Sequence, residues 1–427
     1  MLTPDKISTY INKRTSDTWI IENDHPKYFQ NIIVVPAIAE SESLPHLIKS
    51  LEQNDEEEIN KTLLLIVVNN SVSSNDEVKE ENKKTLEYLN SLKSKINLSF
   101  VDVCSSGKEM DDKNGGVGLA RKIGMDLALT KFDYNSKQKR ILICLDADCI
   151  VDLNYLSEIS KEFNASNYEA AVINFAHDIS GNGKETNAIV NYEIFLRYYL
   201  SGLTFAKSKY AFHTIGSTTA CTPEAYIKVG GMNKRKAAED FYFLEKLAKI
   251  YPIGKIKSTI VHPSKRNSWR VPFGTGKSVD RFLSAANDES LLYDPKCFVV
   301  LKNWLILLND QSSIDYTSLI ENASKINSTL PGFLIQNHLK NFIDKLNQKN
   351  ISPNEINKQK HYWFDAFKTL KLIHYFRDTI YPNINMFEAI DDLLKLKNIE
   401  NKIKRNSAIP DLETQKEYLL LLRKIQN

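Results

Sequence analysis

Apolar residues in this chain gather into short continuous runs separated by stretches with helical spacing. The first run is Asn31-Ile32-Ile33-Val34-Val35, closed by Pro36. The second is Leu63 to Val68, which stops at the turn-forming Asn69-Asn70-Ser71. Leu98–Val103, Ile141–Leu145 and Ala170–Phe175 complete the set of predicted strands. Between them, Ser43–Gln53 carries Leu44, Leu47, Ile48 and Leu51 at helical spacing. Residues 72–97 read as a charged loop and helix, and Gly115-Gly116-Val117-Gly118 opens a helix running to about Thr130. Apolar strands alternating with helices predict an α/β fold whose mostly parallel sheet is covered on both faces. Ligands of such sheets bind at the carboxyl ends of the strands, where Asn69-Asn70 and Asp146-Ala147-Asp148 fall.

Further on, the pattern predicts a helix over Asn187–Leu203, a loop from Gly216 to Thr222, and a helix from about Ala238 to Ile250. From about residue 281 strand signals stop and helical segments with Lys- and Asn-rich joints follow. The expected organisation is an N-terminal extension (1–28), an α/β catalytic domain (29–280) and a helical accessory region (281–427).

Composition narrows the classes. The 427 residues are 42% hydrophobic and 26% charged, ordinary globular values. A net charge of +3 does not argue for a nucleic-acid partner. Five cysteines without CxxC spacing argue against a disulfide framework or a zinc site, and a reducing cytoplasm is expected. No run approaches the roughly 20 apolar residues of a membrane span, so membrane contact, if any, is expected to be peripheral.

Four features carry candidate chemistry. Asp146 and Asp148, one residue apart at a strand end, suit a divalent cation, Mn²⁺ or Mg²⁺, that meets a diphosphate. Gly230-Gly231 precedes Glu239-Asp240 at a helix start, where the dipole keeps a carboxylate ionised; helix capping by Asp240 is the plainer alternative. The glycines at 115–118, with Arg121 and Lys122, suit either phosphate at a helix N-terminus or an ordinary loop-to-helix joint. His262, Arg266 and Arg270 stand before Gly274-Thr275-Gly276. There the arginines can clamp a diphosphate, and His262 is either a further metal ligand or a structural histidine.

In this order and context the motifs resemble family 2 glycosyltransferases over Ile32 to about Ile250. IIVVPAIAE (32–40), with Pro36 and Glu40, resembles the family's opening strand. VVNNS (67–71) sits where the family contacts the nucleoside, with Asn69 and Asn70 replacing the usual acids. GVGLARKIGMDLAL (116–129) resembles its glycine-opened helix, LDAD (145–148) its metal motif, and GGMNKRKAAEDFYFLEKL (230–247) its Gly-Gly and Glu-Asp stretch.

The resemblance implies a GT-A fold and an inverting, non-processive transfer from a nucleoside-diphosphate sugar to a hydroxyl of a glycan or lipid-linked acceptor. It implies Asp240 as base with Glu239 beside it, and Asp146 and Asp148 at the metal with His262 as the further ligand. Pro36, Glu40, Asn69, Asn70, Arg121, Asp146, Gly231, Arg266 and Arg270 are then the expected substrate-binding residues. The Gln-x-x-Arg-Trp motif of processive members is absent; Asn267-Ser268-Trp269-Arg270 stands in its place. A retaining GT-A transferase and a catalytically silent nucleotide-sugar-binding scaffold are the alternatives. A nucleotidyltransferase lacks the expected glycine-rich signature near the first strand.

Overall fold

The computed structural model describes residues 4–14, 18–265, 290–310, 315–349 and 351–427. They divide into two compact units. One comprises residues 1–178 and 214–278; the other, 179–213 and 279–427.

The first unit is built on an eight-stranded sheet in the order β3-β2-β1-β4-β7-β6-β8-β5. The strands are β1 Asn31–Ala37, β2 Thr62–Asn69, β3 Asn97–Val103, β4 Ile141–Cys144, β5 Ile150–Val151, β6 Ala170–Phe175, β7 Thr219–Cys221 and β8 Ile253–His262. β3, β2, β1 and β4 are mutually parallel, as are β6 and β8, while β7 runs antiparallel to both its neighbours and β5 antiparallel to β8. The mostly parallel, helix-flanked α/β layout expected from the sequence is therefore present, and so is a helical C-terminal region.

The alternate faces of the central strands fill the core. Every residue of β2 is buried, and Ile33, Val35, Leu64, Ile66 and Ile143 join one cluster with Leu44, Leu47 and Leu51 of helix α2 (Leu44–Leu51). Pro36 does not end β1. It stays in register with Val67 of β2, while the pairing with β4 stops at Val34–Cys144, so the missing proline N–H breaks no ladder bond on that side.

The N-terminal extension belongs to this unit. Glu22 exchanges backbone hydrogen bonds with Phe100 at 2.7 and 3.4 Å, which covers the exposed edge of β3. Helix Pro4–Arg14 is anchored by Tyr10, whose hydroxyl donates to the buried Asp126 carboxylate at 3.1 Å. Tyr226 donates to the same oxygen at 2.6 Å, and Lys122 to the other at 2.5 Å.

The second unit is helical. Its principal elements are Lys184–Phe205, Lys296–Asn309, Tyr316–Ile326, Leu339–Asn347, Pro353–Trp363, Ala366–Thr379, Met386–Leu396 and Leu412–Gln426. Most large apolar side chains of this region are buried or half-buried, while Ile306 is 60% exposed. Trp304 is fully buried and meets Phe364 edge-on at 5.9 Å between centroids, and Phe342 stacks on Trp363 at 5.1 Å.

Two expectations are corrected. Helix Lys184–Phe205 belongs with the C-terminal helices and not with the α/β domain, because its apolar face (Val190, Ile194, Tyr198, Leu203) enters their core. Strand pairing does not end at 281: Leu291–Leu292 pairs antiparallel with Ile384–Asn385. Among the described residues, no helix is long and apolar enough to cross a membrane.

Candidate active site

The carboxyl ends of β1, β2 and β4 carry the candidate residues. β4 runs into Asp146-Ala147-Asp148, a tight turn closed by the Cys149 N–H on the Asp146 carbonyl at 3.2 Å. The strand's last ladder bond, Leu145 N–H to the Val34 carbonyl at 3.1 Å, fixes where that turn leaves the sheet. Both aspartates are partly exposed there, although the strand before them is fully buried.

Beneath this turn sits Arg121, on helix α5 (Val117–Ala128). Its guanidinium is almost fully buried. One terminal nitrogen donates to Asp146 Oδ1 and the other to Glu239 Oε1. Burial alone would depress this guanidinium, but Asp146 and then Glu239 outweigh it and hold it above its ordinary value. Arg121, expected on the substrate, is thus the counter-ion that binds the β4 turn to the start of helix α9 (Glu239–Ile250).

Asp240 completes the group. The preceding residue but one, Ala238, lies in the left-handed region at φ 57° and offers no side-chain cap. The Asp240 carboxylate, inside the first turn, accepts only the N–H of the next residue, Phe241, at 2.7 Å, so the capping by Asp240 weighed from the sequence is not made. Burial lifts the Asp240 carboxyl to about 7. The Glu239 carboxylate adds to that rise, while Arg121 and the Phe241 N–H act against it. Asp240 is thus a partly exposed carboxyl beside two carboxylates, Asp146 and Glu239, that share one buried cation. Glu239 itself is only 4% exposed and is committed to Arg121.

The glycines at 115–118 make the loop-to-helix joint, the plainer of the two expectations. A β-carbon on Gly118 would stand 2.3 Å from the Arg235 carbonyl oxygen and 2.9 Å from Glu239 Cβ. Glycine there lets α5 approach the segment leading into Glu239. Gly231, expected against substrate, follows the left-handed Gly230 just past helix α8 (Pro223–Lys228), donates to the Tyr226 carbonyl at 2.9 Å with φ 74°, and a β-carbon there would lie 1.9 Å from the Tyr10 hydroxyl. Its close neighbour is the N-terminal helix.

Asn69 and Asn70 are both buried at the end of β2. Asn82, on helix α4 (Asp76–Ser91), holds them. Its amide donates to the Asn69 carbonyl at 3.0 Å and to Asn70 Oδ1 at 2.9 Å, and its own oxygen accepts the Ala39 N–H at 2.8 Å. One buried side chain thereby ties the β2 end to the loop after β1, where Ala39 is left-handed at φ 50° and Glu40 is buried. Asn69 Oδ1 is buried and has no hydrogen-bond partner. Replacing Asn82 by alanine strands these groups and is expected to cost about 2–4 kcal/mol. A urea titration showing a lower midpoint at unchanged slope would register it.

His262 ends β8, opposite Ile150 of β5. Nδ1 meets the Ala176 carbonyl at 3.1 Å and Nε2 meets Asp152 Oδ1 at 2.8 Å. Both ring nitrogens face acceptors, so a metal-ligand role requires one of these bonds to open. Among the described residues, no group of three or more His, Cys, Asp or Glu is arranged to hold a metal, so Asp146, Asp148 and His262 do not form one. The carboxylates of the β4 turn are the hard oxygen donors that Mg²⁺ and Mn²⁺ take. They fit such an ion only if the rest of its shell comes from a diphosphate and water. Arg266 and Arg270 lie outside the described residues.

No family model matches the sequence, and no curated protein matches it either. Similar solved structures include TarS 1–349 of S. aureus in complex with UDP-GlcNAc, at 12% identity over 82% of this chain and 92% of that one, TM-score 0.40. They also include the mannosyltransferase PcManGT from Pyrobaculum calidifontis with GDP-Man and Mn²⁺, at 11% identity over 99% and 92%, TM-score 0.37. GalNAc-T7 with UDP, GalNAc and Mn²⁺ is at 13% over 79% and 67%, TM-score 0.34.

The sequence pointed to the DAD turn and to Glu239-Asp240 but missed Asn82 and Asp126 as organising residues. Each is a lone polar residue on a helix, and only the face it presents to the sheet distinguishes it. The helical periodicity around Asp126, with Leu119, Ile123 and Leu127 alongside, was the one signal available.

Proposed function

We propose that this chain transfers one sugar from a nucleoside-diphosphate sugar to an acceptor hydroxyl, with inversion, in glycan or surface-polysaccharide synthesis. The observation that carries this reading is Asp240. It is a carboxyl raised to about 7 by burial and by Glu239, at a helix start, electrostatically coupled to the Asp146 side of the site through Arg121. A base with that affinity for a proton can take one from a hydroxyl and still be largely deprotonated just above neutral pH.

In this reading Asn69 and Asn70, with Pro36 near the end of β1 and Glu40 on the loop after it, take the nucleoside. Arg266 and Arg270 take the diphosphate, and Asp146 and Asp148 hold Mn²⁺ or Mg²⁺ against it. That ion, when bound, offsets the charge of the departing nucleoside diphosphate. Arg121 pairs with both Glu239 and Asp146, which fixes the helix start that carries Asp240. Asp240 then accepts the acceptor's proton as the hydroxyl oxygen attacks the anomeric carbon from the side opposite the diphosphate.

The protein's own two carboxylates make a weak site alone. Mn²⁺ by itself is therefore expected to shift the melting temperature little, whereas Mn²⁺ with a matching nucleotide sugar at ~100 times its dissociation constant should stabilise by about 2.7 kcal/mol. Asp148→Ala should remove the metal-dependent part. Donor binding that ignores both EDTA and Asp148→Ala would show the metal assignment to be wrong.

A further inference from the structure

The helical unit contains a cavity of about 190 Å³ that the sugar-transfer reading does not use. It is lined by the turn Lys207-Ser208-Lys209-Tyr210 after helix Lys184–Phe205, by His361 at the end of helix Pro353–Trp363, and by Thr369. Its walls carry two lysines, a histidine and three hydroxyls, and no carboxylate. Two more lysines stand close behind. Lys358 acts on Lys209, and Lys360 acts on His361; burial and then these neighbours push both groups below their ordinary values. Behind the wall, Glu355 is 3.8 Å from Lys358, Lys360 donates to the backbone carbonyl of Asp310 at 3.0 Å, and the Asp365 carboxylate accepts the Lys368 N–H at 3.0 Å.

Backbone geometry adds an independent observation. The helix closes with a two-bond cap, Lys207 N–H to the Thr204 carbonyl and Ser208 N–H to the Leu203 carbonyl, both 3.0 Å. The residue at the centre of such a cap is left-handed and is usually glycine. Here it is Lys207, at φ 56°. Lys207 thus brings its charge to the cavity from a backbone conformation that glycine adopts without strain. Lysines after a helix also complement the terminal carbonyls, but that effect needs no left-handed residue and no cavity. Tyr210 stabilises the turn, donating to the His361 carbonyl at 3.2 Å while its N–H meets Ser208 Oγ at 3.2 Å.

We propose that this cavity binds a phosphoryl anion, with Lys207 and Lys209 supplying charge and Ser208 supplying a hydroxyl donor. The volume, at about 30 Å³ per water, holds a phosphate group with a small alcohol attached. Free phosphate and a phosphate ester share this chemistry, and the test separates them. The full-length chain is titrated at low ionic strength with inorganic phosphate and with glycerol 3-phosphate, followed by calorimetry and ³¹P NMR. Wild type should bind at least one saturably. Preference for inorganic phosphate assigns the free anion, and preference for the ester assigns an attached phosphate. Lys207→Gly should be at least as heat-stable as wild type, since strain is relieved, yet bind at least tenfold more weakly. Lys209→Gln should weaken binding similarly. Absence of saturable binding to both probes, or unchanged affinity in both variants, would overturn the proposal.

Discussion

Replacing Asp240 by asparagine is expected to lower turnover by at least ~10²-fold, the usual consequence of removing a general base, with donor affinity close to wild type. The shape of the side chain is kept and only its proton affinity is lost. Wild-type kcat should rise with pH through an apparent pKa of about 7, the value to which burial and Glu239 lift this carboxyl, and the residual activity of the variant should lack that limb. Stability should move the other way. An acid whose folded pKa lies above its unfolded value near 3.8 binds its proton more tightly when folded. Its effect on stability is absent below about pH 4, grows unfavourable as pH rises towards 7, and is constant above that. Asp240→Asn should therefore be more stable than wild type at pH 8, by on the order of 2–4 kcal/mol, with the two curves converging near pH 4. Denaturant unfolding at pH 4.5, 6 and 8 measures this, and equal midpoints at all three values would remove the basis for a perturbed base.

Arg121→Met should be the most damaging single change in the α/β unit. The methionine fills a similar volume but leaves Glu239, 4% exposed, and Asp146 without their shared cation. Breaking a buried pair by deleting one partner typically costs about 3–5 kcal/mol, because the remaining charge is stranded. The loss should shrink on acidification, as protonation removes the stranded charge. Arg121→Lys should recover only part of it, since one ammonium cannot span two carboxylates as the guanidinium fork does. Thermal and urea unfolding of the three proteins at pH 5 and 8 separates these expectations. If Arg121→Met is as stable as wild type, the guanidinium is not what joins the β4 turn to helix α9.

What the sequence conveyed and what it withheld follow from how local each signal is. The buried parallel strands were legible as unbroken apolar runs, since a strand covered on both faces alternates nothing. β7 and β8 were not. β7 is three residues of a Thr-rich stretch, and β8 mixes exposed Lys255 and Lys257 with buried Ile256 and Val261. Their place in the sheet is decided by partners as distant as Leu142 for Cys221 and Ala170 for Ile253. The Asp-x-Asp turn and the Glu-Asp helix start were found because each is contiguous. The cation joining them was read as a ligand for phosphate, because nothing within a helix window reveals that its partners lie 25 and 118 residues away. The same reason hid the grouping of Lys184–Phe205 with the C-terminal helices, whose shared core includes residues from Val190 to Leu422.

Sugar transfer with inversion is tested most directly by following donor turnover by ¹H NMR in real time. The full-length chain is given a panel of α-linked nucleoside-diphosphate sugars with Mn²⁺, and water serves as the default acceptor. The expected result is consumption of one donor, slowed at least ~10²-fold in Asp240→Asn, with the β-anomer of the free sugar appearing first, before mutarotation. First appearance of the α-anomer, or no turnover of any donor in the panel, would contradict the account.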